Sequence, residues 1–142
     1  MSGYFETYRG QAAAWECDHL GHWNVQFYIS RMSDAAWHLM YELGMGPTMV
    51  RERRLGLAAV EQQIRYRREV RAGDLVVIES AITGCAEKTI AMAHRMLQAA
   101  SGEIAMTMTG VGICMDLDRR AACPLPDEVR ARASALMTIV AA

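Results

Sequence analysis

Residues 15–28 read WECDHLGHWNVQFY, and inside this stretch the character of the chain changes. From Trp15 to Asn24, carboxylate, thiol, imidazole and amide groups crowd around a single glycine, Gly21. After Asn24 the apolar residues Val25, Ile29, Met32, Ala36, Leu39 and Leu43 recur at i, i+4, i+7, i+11, i+14 and i+18, one stripe on a helix of about five turns. Asn24 has the side chain of an N-cap, and Gly44 followed by Gly46-Pro47 is a stop. The fold then depends on what covers the stripe.

The neighbouring sequence supplies strands. Upstream, residues 4–15 have β-type character and lead into the polar turn. Downstream, residues 57–66 alternate, with Val60, Gln62, Ile64 and Tyr66 on one face and Glu61, Gln63 and Arg65 on the other. Gly73-Asp74 turns the chain into LVVIESAIT, GCAEK turns it into TIAMAHRMLQA, and Ser101-Gly102-Glu103 closes a hairpin into IAMTMTGVGICMDL. These four strands predict an antiparallel meander, and with the first strand a sheet of about five. One long helix against one curved antiparallel sheet is an α+β architecture. A short terminal helix is expected to begin near Pro126.

The bulk numbers bound the possibilities. The 142 residues suit a single domain, 1–142, and 52% hydrophobic with 22% charged residues describes a chain that folds. The net charge of −1 creates no global field for nucleic acid. No run approaches the ~20 apolar residues of a membrane span, and the N-terminal sequence lacks a targeting pattern, so the cytoplasm is the expected compartment. Cys17, Cys85, Cys114 and Cys123 show no CxxC pairing and read as reduced thiols. Arginine is clustered between Arg51 and Arg71, and an anion site is to be sought there, although such a run also serves as a solvated face.

The polar stretch lies directly before a helix start. The first N–H groups of a helix have no internal partners and carry the positive end of its dipole, so the amides of Val25 and Gln26 can hold an oxyanion or polarise a carbonyl. Asp18 is then a carboxylate available to the same carbonyl, as nucleophile or as general base for water. Its structural alternative is an Asx-turn in which it bonds its own backbone. Cys17, His19 and His22 form a C-x-H-x-x-H string, but a tetrahedral site needs a fourth ligand and none clusters with them, so no metal is expected.

The segment Asp18 to Tyr28, DHLGHWNVQFY, resembles the D-x-x-G-H-x-N-x-x-x-Y segment of the 4-hydroxybenzoyl-CoA thioesterase branch of the hotdog-fold acyl-CoA thioesterases. Ile64 to Asp74, IRYRREVRAGD, is similar to the second-strand-and-turn segment of that branch, and the order of elements agrees from about residue 6 to 125. The resemblance implies a hotdog fold and hydrolysis of an acyl-CoA to free acid and CoA, with no metal and no cofactor beyond substrate CoA. It implies Asp18 as the catalytic carboxylate and the Val25 N–H as the group that polarises the thioester carbonyl. His22 and Asn24 complete the catalytic turn with Gly21, and Tyr28 packs beneath it. It also implies a homodimer as the minimal unit, with sheets paired edge to edge and each site between subunits, and a homotetramer as a further assembly.

Several residues carry two readings. Trp23 stands where smaller residues are commoner in that branch, so its indole is expected to bound the acyl group. His22 either orients water and carboxylate or is bonded within the turn. Arg67 and Arg68, with Arg71, are phosphate candidates because guanidinium groups suit phosphate oxygens. His94, among Ile90, Met92 and Met96 at strand period, reads as a packed histidine. Gly110 and Gly112 either pack closely or leave a groove for the pantetheine arm. Asp34 and Glu42 on the helix are alternative carboxylates. Competing functions are a hotdog enoyl-CoA hydratase or dehydratase, with Asp18 and His22 as acid and base, and a non-catalytic acyl-CoA-binding module.

Overall fold

The computed structural model describes residues 3–137. Strand β1 (Phe5–Gln11) passes through a single 3-10 turn at Ala14–Glu16 into the polar stretch, and helix α1 (Val25–Glu42) follows. A short helix α2 (Pro47–Arg53) precedes β2 (Leu55–Tyr66), β3 (Leu75–Cys85), β4 (Thr89–Gln98) and β5 (Ile104–Asp116). A two-residue strand β6 (Ala121–Ala122) and helix α3 (Asp127–Leu136) complete the order. The main sheet runs β1-β3-β4-β5-β2, every neighbouring pair is antiparallel, and β6 pairs with β5. The α+β expectation of one long helix on one antiparallel sheet holds.

The expected four-strand meander shrinks to three. β3, β4 and β5 follow one another through tight turns, but β2 pairs with β5 at the sheet edge and not with β3. Gly73, at φ +87, does turn the chain, yet residues 67–74 form a crossing connection instead of a hairpin loop. The Arg67 and Arg68 N–H groups donate to the Ala105 carbonyl, and buried Val70 anchors the crossing against the core. A two- to five-residue loop would have kept β2 beside β3; this longer, internally anchored one carries it across.

Helix α1 begins where its cap predicts. Asn24 is extended, and its Oδ1 accepts the Gln26 N–H at 3.1 Å. The buried face is rotated from the expected stripe: Tyr28, Met32, Ala35, Leu39 and Met40 are buried, while Val25 and Ile29 are 50% and 42% exposed. Tyr28 can go inside because its hydroxyl donates to the Arg68 carbonyl and accepts from the Val70 N–H at 3.0 Å. The short helix α2 was not expected; Pro47 opens it at the first helical position and Arg54, at φ 53, ends it.

The core has two parts. Leu39, Leu43, Met45, Ile82, Ile90 and Met92 pack in one, and Trp23, Tyr28, Met32, Ile78, Met96 and Met106 in the other. Buried Thr7, Ser80 and His94 bring polar side chains into this interior on three neighbouring strands. In β2 the register shifts between Ala59 and Glu61, Val60 is pushed outward to 59% exposure, and the expected strict alternation is broken.

Candidate active site

The polar stretch is held together mainly by its own backbone. The Asp18 N–H donates to the His22 carbonyl, the Gly21 N–H to the Asp18 carbonyl, and Cys17 bridges to Trp23. Gly21 takes φ +82, a conformation that disfavours any side chain, while the space beside it is open. Asp18 Oδ1 accepts the Leu20 N–H at 2.9 Å, so the Asx-turn is formed. Asp18 Oδ2 accepts from Asn24 Nδ2 at 2.8 Å. Through its two side-chain atoms Asn24 therefore ties the carboxylate to the first turn of α1. The Leu20 amide first, and the Asn24 amide second, hold the Asp18 carboxyl below the usual carboxylate range, and it is ionised at neutral pH.

Beneath the turn lies Glu16, only 1% exposed. Its Oε1 accepts the Ala13 N–H at 2.9 Å and the Trp23 indole N–H at 3.2 Å, and its Oε2 pairs with Arg31 at 2.6 Å. The Arg31 guanidinium also lies 5.9 Å from the Trp23 ring centre. This buried ion pair was not anticipated from the sequence, although Glu16 lies in the stretch first singled out. Its signal was a carboxylate and an arginine separated by a turn and one and a half helical turns, too indirect to read without coordinates.

A cavity of about 280 Å³ opens at the N-terminal end of α1, lined by His22, Val25, Tyr28, Tyr66, Arg67, Arg68 and Glu69. It joins five expected site residues from the turn, the helix and the β2–β3 crossing. Asp18, Gly21 and Asn24 stand in the adjoining turn and are not among its walls. His22 Nδ1 donates to the Trp23 carbonyl at 3.1 Å, which in the neutral ring leaves Nε2 as the acceptor. Arg68 pairs with Glu103 at 3.1 Å and Arg71 with Glu69 at 3.3 Å, whereas Arg67 forms no ion pair among the described residues. Tyr66 and Glu69 are lining residues that sequence reading did not single out.

Trp23 corrects an expectation. Its surface is fully buried, its ring packs 4.9 Å from that of Tyr28, and its N–H is taken by Glu16. It belongs to the core and is not among the walls of this cavity, because the turn folds its indole inward over the ion pair. Asp34 is exposed on α1, and Glu42 is exposed beside Arg132. Among the described residues no group of three or more His, Cys, Asp or Glu side chains could hold a metal ion, and no helix is long and apolar enough to cross a membrane.

A second, smaller cavity of about 60 Å³ lies between α1 and the β4–β5–β2 part of the sheet. Ala36 and Met40, Met92 and Met108, and Gly110 and Gly112 line it, with Glu61 and Gln62 from the bulged strand. The close-packing reading holds for Gly112, where a Cβ would lie 2.6 Å from Leu57, and both glycines also border the cavity.

A single long helix laid on a five-strand antiparallel sheet, with a carboxylate turn at the helix N-terminus, defines a hotdog-fold protein. The family model of the thioesterase-like superfamily matches residues 12–133, and the chain belongs to that superfamily. Comparison with curated protein sequences finds no match. Among solved structures, the chain is similar to the Staphylococcus aureus protein SAV2348, determined in complex with CoA: TM-score 0.88, 15% identity, 99% of this chain and 90% of that one covered. It is similar to a 1,4-dihydroxy-2-naphthoyl-CoA thioesterase from Synechocystis, at TM-score 0.79 and 17% identity over 92% and 96% of the two chains. It is also similar to BH1999, a gentisyl-coenzyme A thioesterase, at TM-score 0.77 and 21% identity over 89% and 98%. At these identities the likeness is one of fold.

Proposed function

We propose that the protein hydrolyses an acyl-CoA thioester to the free acid and CoA at the turn before α1. The observation that carries this reading is the double contact of Asn24, which ties an ionised Asp18 carboxylate to the helix N-terminus. Two of the carboxylate's lone-pair sites are taken by Leu20 and Asn24, and the others are available to a carbonyl carbon or a water. As nucleophile, Asp18 adds to the carbonyl, the C–S bond breaks to release CoA, and water cleaves the resulting anhydride. As general base, it takes a proton from the water that adds. In both routes the Val25 N–H faces the developing oxyanion. His22, whose Nε2 is an acceptor beside the cavity, orients the water.

Arg67, and Arg68 once it exchanges Glu103 for phosphate, meet the CoA phosphates at the rim. CoA binding in the SAV2348 structure and the activities of the two thioesterases of like fold support this substrate class. The reaction uses no metal and no cofactor beyond the CoA of the substrate. The minimal unit is a homodimer formed along β2, a twelve-residue edge strand that among the described residues pairs only with β5, and two such dimers make a homotetramer. The second copy closes the site in front of Asp18. The free thiols suit the reducing cytoplasm.

One observation favours a second reading. Both Asp18 oxygens already have partners, as a purely structural Asx-turn would have, and the turn then only holds an acyl-CoA. Thiol release from a panel of acyl-CoAs, measured for wild type and Asp18→Asn, separates the two. Hydrolysis that vanishes in the variant establishes the Asp18 mechanism; equal rates overturn it. Product without free thiol would indicate hydration of an enoyl-CoA.

A further inference from the structure

His94 lies on β4, between Met92 and Met96 on the inner face of the sheet, and is 1% exposed. Its Nδ1 is 2.6 Å from Ser80 Oγ, which is 2.8 Å from Thr7 Oγ1, and Thr7 in turn donates to the Ile78 carbonyl at 3.3 Å. The direction of this row follows from counting protons. With the Thr7 hydroxyl proton on the Ile78 carbonyl, which only accepts, Ser80 donates to Thr7 and accepts from His94 Nδ1–H, the tautomer that the experiment below reads. Burial pushes the imidazole pKa down to about 4, so the ring is neutral at pH 7 and carries one proton. Nε2 is consequently a bare acceptor, and it has no hydrogen-bond partner among the described residues.

A buried acceptor with nothing to accept is destabilising, and native interiors keep few of them. His94 is not itself a wall of the smaller cavity, but two of that cavity's walls flank it in the sheet: Met92 is two residues away on the same strand face, and Met108 is its direct cross-strand partner. Methionine side chains shift readily, so an occupant of that cavity can reach past them. We propose that His94 Nε2 is a specificity-determining acceptor for a hydroxyl group on the acyl portion of the substrate, entered through the cavity between α1 and β5. The same chemistry is available to a trapped water, and the experiment distinguishes the two donors. The inference rests on the thioesterase reading only for the molecule that carries the hydroxyl.

The test has two arms, both on the full chain. In the first, ¹⁵N-histidine NMR reads the tautomer, and each free hydroxy acid and its unhydroxylated parent is titrated in. The expected result is a neutral ring protonated at Nδ1, whose Nε2 resonance moves with a hydroxy acid and not with the parent. An Nε2-protonated ring, or no difference between the acids, overturns the proposal and needs no hydrolysis to do so. In the second arm, thiol release is measured for matched acyl-CoAs, aliphatic and aromatic, with and without a hydroxyl. Wild type is expected to favour the hydroxylated member of at least one pair by about tenfold in kcat/KM. His94→Phe is expected to bring that ratio close to one, and Ser80→Ala, which frees the tautomer with little change in volume, to lower it should the first variant not fold. Hydrolysis of every pair at equal rates means that Nε2 holds a water only and overturns the proposal while leaving the thioesterase reading standing.

Discussion

Two polar regions of this molecule obey different logic. In the turn before α1, Glu16, Asp18, Asn24 and the Trp23 indole N–H each have identified partners, and the one buried atom left over there, Arg31 Nε, belongs to a guanidinium already paired with Glu16. In the row beneath α1, Thr7, Ser80 and His94 are chained together and one atom is left over. Satisfied groups rigidify a site; an unsatisfied one asks for a ligand. Within the turn the same contrast recurs two residues apart, since Glu16 is buried and neutralised by Arg31 whereas Asp18 keeps lone pairs for chemistry.

That contrast is open to attack by mutation. Asp18→Asn should lower thiol release by about 10³-fold, the middle of the range that one acid–base group contributes, with little change in melting temperature. If Glu16 is the structural member, Glu16→Gln should instead cost about 3–5 kcal/mol in urea unfolding, because it leaves the Arg31 charge half-buried without a counter-ion. Acid should find the lower row. His94 titrates near 6.5 when unfolded and about 4 when folded, so the unfolded chain binds the extra proton between these values. The stability that depends on a neutral His94 is complete above pH 6.5 and is lost as pH falls toward 4, on the order of 3 kcal/mol, and the loss should disappear in His94→Phe.

Two smaller effects sharpen the picture. Asn24→Ala removes the cap and should destabilise the fold by about 1 kcal/mol, while freeing Asp18 and reducing kcat more than a cap alone explains. Arg67→Ala should raise KM for an acyl-CoA about threefold, an effect weakened by added salt, as expected of an exposed cation meeting phosphate.

Much of the site was legible because its logic is local. The Asn24 cap, the Asx-turn of Asp18, the left-handed Gly21 and the hairpin at Gly102 all arise between residues a few positions apart. The errors fall where distant partners decide. The sequence makes Trp23 a wall of the acyl site, and only the inward fold of the turn onto Glu16 and Tyr28 shows it to be core. Val25 and Ile29 fit the apolar stripe, yet Tyr28 took the inner position because the β2–β3 crossing offered its hydroxyl two backbone partners.

The linear order of residues was sufficient for the long helix, the five long strands, their class and the hydrogen bonds within the turn, though not for α2 or β6, since caps, periodicities and tight turns are short-range and each is encoded in adjacent positions. It was insufficient for the place of β2 beside β5, for the pairing of Glu16 with Arg31, and for the orphaned nitrogen of His94. Those depend on which segments meet across the core, where partners many residues apart compete for the same hydrogen bonds and the same buried volume.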